Sequence, residues 1–329
     1  MTALAPTLEL FFTQRLITQQ HASPNTVTAY RDTFRLLLGY AHDSTATPPA
    51  KLQLEDLDAP LIGAFLDHLE QHRSCAISTR NARLAALRSF FRFAALRHPD
   101  HAALIQRVLA IPSKRTHRSL VCYLTQPEID ALLAAPNRST RTGRRDHALL
   151  ALAVQTGLRV SELIALRRND IQLGAGGYLH CTGKGRKDRC TPLNAHTRAV
   201  LRVWLKECVD IPDAPVFPGP RGTPIGRDAV RRLITKHATT AARACPSLAT
   251  KRISPHITRH SCAMQLLRSG VDTATIALWL GHESSRTTDI YLSADLELKQ
   301  RALARTQPAR TTPGRYQPPD PLLAFLENL

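Results

Sequence analysis

The sequence predicts a mainly α-helical protein of two domains, the second of which carries a small β-sheet or hairpin. Apolar residues recur at helical spacing through most of the chain. A basic, proline-containing break over 111–122 separates two such regions. Two short segments, Tyr178 to Thr182 and Arg189 to Leu193, instead have the pattern of strands around a turn. We therefore expect a helical domain at 1–110, the linker at 111–122, an α-rich domain at 123–305 and a tail at 306–329.

At least three helices are expected in the first domain. Ser23 and Pro24 can begin one of them as an N-cap and a first-turn proline, and apolar stripes over 61–69 and 84–94 predict two more. The last of these helices carries four arginines, which are Arg80, Arg83, Arg88 and Arg92. Solvation at the surface is an ordinary alternative for each, but four on one helix of a basic chain favour contact with phosphate groups.

The second domain is expected to begin sharply with a helix, because Thr125 and Glu128 fit a capping box. A buried helix over 148–154 should end at Gly157. The two predicted strands and an amphipathic helix over 200–208 follow. This order of elements predicts a helical domain with a single small sheet.

Composition narrows the partners of the chain. Its 329 residues carry a formal net charge of +18, with a pI of about 10.3, which favours nucleic acid and leaves an anionic membrane surface as the rival. No apolar run approaches the roughly 20 residues of a spanning helix, and the N-terminus lacks the basic start of a signal peptide. Seven scattered cysteines without a Cys-x-x-Cys pair predict reduced thiols in a cytosolic protein.

Arg159 is predicted at the junction of two helices, because Gly157 ends one and the apolar pattern of the next begins at once. There a guanidinium and unpaired backbone N–H groups can face one anion. Glu162 lies three residues on, on the same helical face, and can orient the guanidinium. A structural ion pair at the surface is the alternative.

Three further basic residues are candidates for phosphate contact. Lys184 is predicted at the tip of the hairpin, where it can reach a phosphate and donate a proton, although a solvated turn lysine is the commoner case. His256 and Arg259 share one face of a helix that begins at Ser254 and Pro255. They lie near its first turn, where the helix dipole favours an anion.

Tyr291 is the candidate nucleophile. Asp272 can cap a helix that Gly281 closes, so that His282 emerges just past its end, nine residues before Tyr291. A phenol has an ordinary pKa of about 10 and reacts poorly by itself. Tyr291 alone is therefore as readily a core residue, but basic donors around a bound phosphate would make it reactive.

Six of these residues occur in an order that resembles the active site of the tyrosine recombinases, or phage integrases, especially the short Xer-like members. They are Arg159, Lys184, His256, Arg259, His282 and Tyr291. The matching segments are TGLRVSEL, TGKGRKDRCTPL, PHITRHSCA and LGHESSRTTDIYLSA, which span most of residues 120–300. More loosely, SPNTVTAYRDTF and STRNARLAALRSFFRF are similar to the core-binding, SAM-like domain of the family.

The resemblance implies strand cleavage through a 3′-phosphotyrosine. Tyr291 would attack a DNA phosphate whose non-bridging oxygens Arg159 and Arg259 bind, and Lys184 would protonate the leaving 5′-oxygen. A free 5′-hydroxyl of a partner strand would then attack the phosphotyrosine. The bond energy stays in the covalent link, so no ATP and no other cofactor is expected.

The remaining roles are also implied by the resemblance. His256 would accept the tyrosine proton, His282 would bind the phosphate, and Glu162 would support the local structure. No metal site is predicted, because acidic clusters and Cys/His ligand spacings are missing near these boxes. Ser293 departs from the many relatives that carry histidine two places after the tyrosine.

The family also suggests how the chain assembles on double-stranded DNA. Two domains would clamp a duplex, with Lys114 and Arg115 of the linker along the backbone. Recombination joins two duplexes, which implies a homotetramer, alone or alternating with a paralogous recombinase. The apolar segment 322–326 would suit docking on a neighbouring protomer or on its own. A cytoplasmic, nucleoid-associated protein is expected, without a membrane partner.

Two other functions are compatible with parts of the sequence. A type IB topoisomerase uses a similar active site, but the short N-terminal domain and the Xer-like boxes argue against it. A DNA-binding regulator that has lost catalysis is disfavoured by the complete residue set. Chromosome dimer resolution and the movement of phage, transposon or cassette DNA all use this chemistry, so the sequence leaves the biological role and target site open.

Overall fold

The structure of the chain is a computed structural model that describes residues 2–116, 121–183, 188–281, 288 and 290–291. The chain forms two compact units, Met1–Arg118 and Ser119–Leu329. Both are mainly helical and the second contains one small sheet, which confirms the predicted fold class. Within the described residues, no helix has the length and apolar character needed to cross a bilayer.

The first unit is a helical bundle around an aromatic core. Its helices are α1 (Leu4–Leu10), a π-helix that continues it (Phe11–Gln19), α2 (Pro24–Thr45), α3 (Ala59–Gln71), α4 (Ile77–Ala95) and α5 (Ala102–Ala110). Helix α2 begins as predicted, because the Ser23 hydroxyl accepts the Thr26 N–H at 3.2 Å. Phe11, Phe34 and Phe90 pack edge to face at the centre of the bundle.

The second unit is built from seven helices and three strands within its described residues. They are α6 (Gln126–Ala134), α7 (Arg141–Thr156), α8 (Val160–Ala165), β1 (Ile171–Gln172), β2 (Tyr178–Thr182), β3 (Asp188–Pro192), α9 (Ala195–Leu205), α10 (Arg227–Ala241), α11 (Pro255–Arg268) and α12 (Thr273–Leu280). The predicted capping box starts α6, where Glu128 accepts the Thr125 N–H at 2.8 Å.

The strands form an antiparallel sheet in the order β1-β2-β3. Strand β2 has the predicted bounds, whereas β3 begins and ends one residue earlier than the predicted Arg189 to Leu193. The sequence did not predict β1, because two residues are too short to show alternation. The register places Cys181 opposite Arg189, which fixes the side chain of Arg189 relative to β2.

Close packing of α7, α11 and α12 brings the ends of α7 and α12 together at Gly157. Helix α7 ends there as predicted, with a left-handed φ of 63°. A Cβ at this position would lie 2.6 Å from Leu280 Cδ2 and 3.2 Å from Cys262, so glycine is needed for space as well as conformation. The ends of α7 and α12 can thus approach α11 closely.

Candidate active site

Arg159 is held in place by the start of α8. It occupies the N-cap position, and its N–H donates to Glu162 Oε2 at 2.8 Å. Its guanidinium donates to Glu162 Oε1, also at 2.8 Å. The predicted orientation of Arg159 by Glu162 is therefore present in the structure, and backbone and side chain are fixed by one carboxylate.

Two backbone carbonyl groups hold the guanidinium of Arg259 in place. Its side chain is buried, and it donates to the carbonyl oxygens of Gly157 and Leu280, each at 2.7 Å. Arg159 donates to the carbonyl of Gly281 at 2.9 Å. Both guanidiniums thus converge on the carboxyl end of α12, whose carbonyls carry partial negative charge.

Burial weakens the basicity of the Arg259 guanidinium. Desolvation, with a further contribution from the nearby charge of Arg159, lowers the pKa of Arg259 to about 10. The guanidinium is still protonated at neutral pH. Two like charges held close together by neutral carbonyls favour an anion that can approach both.

Arg189 is a residue of this site that the sequence did not single out. From β3, it donates to both oxygens of Glu162, at 2.7 and 3.2 Å. Glu162 is buried, but hydrogen bonds from Arg189 and Arg159 keep its pKa below the ordinary value despite desolvation, which acts the other way. Arg189 stands in the segment TGKGRKDRCTPL, where only the lysine was used.

Tyr291 is buried, with 1% of its surface exposed. It packs with Cys262, Leu280 and other apolar residues of α11 and α12. Burial raises the pKa of its hydroxyl to about 12, although the charge of Arg259 opposes this shift. A phenol in this surrounding is fully protonated at neutral pH and needs a proton acceptor before it can attack.

A histidine that the sequence analysis left without a role contacts this phenol. His260 Nδ1 lies 3.0 Å from Tyr291 Oη, and the two rings meet edge to face at 5.6 Å. His256, the predicted proton acceptor, is exposed one turn earlier on α11. The spacing of four residues between the two histidines was visible in the sequence and puts both on one helix face.

Lys184 and His282 lie outside the described residues, as do Ser293 and the segment 322–326. Their neighbours have defined places: Gly183 follows β2, Asp188 begins β3, and Gly281 closes α12 beside Arg159. Within the described residues, no cluster of histidine, cysteine or carboxylate side chains could bind a metal ion.

The predicted DNA-contacting arginines of α4 have different surroundings. Arg92 is exposed, and Arg83 is half-buried beside Cys75. Arg80 is buried, with its guanidinium donating to the Pro112 carbonyl at 3.0 Å and lying near Glu70. Contact between Arg80 and DNA stays a prediction, and it would require the guanidinium to leave these partners.

Hydrogen bonds also hold the start of the linker against α4. Arg88 donates to the carbonyl of Ile111, and Asn81 binds both the N–H and the carbonyl of Lys114, at 3.1 and 2.8 Å. Lys114 pairs with Glu70 at 2.9 Å, whereas Arg115 is exposed. Residues up to Lys114 therefore continue the first unit, and Arg115 is the more exposed cation of the predicted pair.

A basic groove opens beside the start of α11. It has a volume of about 850 Å³ and an apolar floor that includes Leu248. Its four basic lining residues are Arg231, Arg232, Lys251 and Arg252. Ser254, the N-cap of α11, also lines it, so the groove leads toward the helix that carries Arg259.

A two-domain helical fold in which two arginines converge beside a buried tyrosine defines the class of tyrosine recombinases. The sequence profile of the Phage integrase family matches residues 122–297, and that of the Phage integrase, N-terminal SAM-like domain matches residues 10–98. The chain belongs to the phage integrase family and is a site-specific DNA recombinase.

Similar proteins agree with this assignment. The chain is 54% identical over 327 residues to the putative integrase/recombinase y4rC of Sinorhizobium fredii, covering 99% of this chain and 98% of that protein. It is 33% identical to the tyrosine recombinase XerC of Pelobacter propionicus, over 92% and 95% of the two chains. The fold matches a XerH recombinase bound to difH substrate with a TM-score of 0.68 at 21% identity, over 83% and 79% of the chains.

Proposed function

We propose that this recombinase cleaves DNA by attack of Tyr291 on a phosphate held by Arg159 and Arg259. The products are a 3′-phosphotyrosine and a free 5′-hydroxyl. The observation that carries the proposal is the convergence of both guanidiniums on the end of α12, in the same packed region as the tyrosine. An anion between the arginines would be presented to the phenol.

The arginine pair suits a transition state better than a resting diester. Each guanidinium has five N–H donors, and the contacts to backbone carbonyls occupy part of them. The remaining donors can bind phosphate oxygens. Because the phosphate gains negative charge as Tyr291 attacks, two fixed cations stabilise the transition state more than the ground state.

Proton transfers at both oxygens complete the step. Lys184 protonates the leaving 5′-oxygen, and His282 binds the phosphate. The acceptor of the tyrosine proton is a histidine of α11, the helix that carries His256 and His260 one turn apart. The phosphotyrosine keeps the energy of the broken bond, so rejoining needs only the 5′-hydroxyl of a partner strand.

The groove beside α11 is the proposed DNA-contacting surface of the second unit. Arg231, Arg232 and Arg252 line it, and phosphate contacts of this kind position a duplex without reading its sequence. Arg83 and Arg92 of α4, with Arg115, are the proposed contacts of the first unit. The net charge of +18 on the whole chain supports DNA binding that weakens steeply with salt.

Four protomers on two duplexes form the proposed active assembly, alone or with a paralogous recombinase. Movement of mobile DNA, in the cytoplasm at the nucleoid, is the proposed role. The similarity to a protein named putative integrase/recombinase over nearly the whole chain supports this role. The mass of the complex on a duplex pair, measured by light scattering, tests the assembly.

A trapping experiment tests the chemistry. Binding sites are selected from a pool of randomised duplexes with the full chain and rebuilt with a nick that lets the 5′-hydroxyl fragment diffuse away. The wild type should accumulate a protein–DNA adduct that protease destroys, whereas Tyr291→Phe should bind the site and give none. Tyr178→Phe, at a half-exposed tyrosine of β2, is the matched control and should react like the wild type.

A further inference from the structure

His260 is a titratable group in direct contact with the proposed nucleophile. Its Nδ1 lies 3.0 Å from Tyr291 Oη, within hydrogen-bond range, and the edge-to-face rings restrict the motion of both side chains. General bases must lie within such a distance of the proton that they remove. The geometry therefore meets the first requirement for a base.

The surroundings of His260 favour its neutral form. Burial lowers the pKa of His260, and the charges of His256 and Arg259 lower it further. Among the described residues, Tyr291 is the further titratable group in contact with it, and burial raises the pKa of Tyr291 to about 12. At neutral pH the ring is thus neutral, and in the tautomer with its proton on Nε2 the unprotonated Nδ1 faces the protonated phenol.

We propose that His260 is a catalytic residue of the strand-transfer reaction, accepting the proton of the Tyr291 hydroxyl at Nδ1 during attack and returning it during rejoining. The proposal rests on Tyr291 being the nucleophile. In cleavage, the Oη–P bond forms, the P–O5′ bond breaks, the phenol proton moves to Nδ1, and the general acid gives a proton to O5′. The imidazolium formed reverses these transfers when a 5′-hydroxyl attacks.

His256 is exposed one turn away and is placed to exchange the proton of His260 with water. The proposal thus assigns acceptance of the tyrosine proton, predicted for His256, to His260, which contacts the phenol.

Single-turnover cleavage of the nicked substrate tests the proposal. His260→Asn keeps a hydrogen-bond acceptor near the Nδ1 position but cannot take a proton, so adduct formation should slow by about 100-fold. Binding should be unchanged, and the loss of rate toward acid pH that is expected of the wild type should disappear. His147→Asn is the control, because His147 is a buried histidine whose Nδ1 is hydrogen-bonded to the Leu133 carbonyl away from the site, and it should keep the wild-type pH profile.

A substrate with sulfur in place of the bridging 5′-oxygen separates base from acid. Its leaving group needs no proton, so it should restore cleavage by Lys184→Ala but not by His260→Asn. Restoration of His260→Asn would assign the histidine to the leaving group and overturn the proposal. A wild-type rate and pH profile for His260→Asn, with His256→Gln defective, would overturn it as well.

A measurement on the unaltered chain covers the case in which His260→Asn does not fold. Histidine ¹⁵N shifts at neutral pH should show an unprotonated Nδ1 that changes in Tyr291→Phe. A protonated Nδ1 would make the histidine the donor and contradict the proposal. Adduct formation by Tyr291→Phe would instead refute the proposed function itself, so the two failures are distinguishable.

Discussion

Glu162 binds Arg189 through both oxygens of its carboxylate, at 2.7 and 3.2 Å, while the same carboxylate holds Arg159. The pair joins α8 to β3, and Arg189 also fills the space over Gly281, where a Cβ would lie 2.6 Å from its guanidinium. One buried carboxylate thus fixes two cations. The sheet is thereby connected to the arginine pair of the active site.

Replacing Glu162 with glutamine should lower the free energy of unfolding by about 3 kcal/mol, because two partly buried guanidiniums lose the charge of the buried carboxylate that pairs with them. Chemical denaturation measures the change. Asp228→Asn is the control, since the ion pair of Asp228 with Arg231 is exposed and its loss should cost less than about 0.5 kcal/mol. Equal effects of the two substitutions would show that Glu162 has no special structural role.

Gly157→Ala should destabilise the second unit more than Gly176→Ala. Both glycines have a left-handed φ, 63° and 66°, so each alanine has a backbone cost of about 1–2 kcal/mol. Only the Cβ at Gly157 meets other atoms, which should add about 1–3 kcal/mol and displace the Leu280 carbonyl from Arg259. Thermal unfolding of the two variants compares them, and equal losses would contradict the packing described.

Asn81→Ala should release the start of the linker from α4. The asparagine side chain binds both backbone groups of Lys114, so its removal leaves that N–H open to solvent. Hydrogen exchange at Lys114 should speed up by about tenfold, the equivalent of one hydrogen bond. Arg92→Ala, on the exposed face of α4, should leave this exchange rate unchanged.

The contribution of Glu128 to stability should depend on pH. Hydrogen bonds from Lys251, Ser247 and the Thr125 N–H lower its pKa below 4.5, although desolvation opposes them. Because the folded pKa is below the unfolded one, this stabilisation is present above pH 4.5 and is lost as the pH falls through the folded pKa. The difference in unfolding free energy between wild type and Glu128→Gln should shrink across that range. A constant difference would be evidence against the charge effect.

Short sequence motifs predicted the helix ends and the strands, because these depend on residues close together in the chain. The caps at Ser23, Thr125 and Asp272 and the glycine at 157 mark helix ends, because each satisfies backbone groups within a few residues of itself. The small sheet was found for the same reason, from a strand pattern on both sides of one turn.

Residues whose roles depend on distant partners were missed. Arg189 reaches Glu162 across 27 positions and His260 reaches Tyr291 across 31, so no periodicity relates them. The surroundings of Arg80 also depend on a distant contact, which here buries a side chain. Its place on a basic helix predicted exposure, but the chain after α5 returns over it and Pro112 accepts its hydrogen bond. Tertiary packing decided these three cases.

The most direct test of the central claim is the identity of the residue that becomes linked to DNA. After trapping on the nicked substrate, nuclease and protease digestion leave a peptide that carries a nucleotide, which tandem mass spectrometry can locate. The account predicts a 3′-nucleotide on the hydroxyl of Tyr291 and none in Tyr291→Phe. A nucleotide on any other residue, or an adduct of equal yield in Tyr291→Phe, would contradict it.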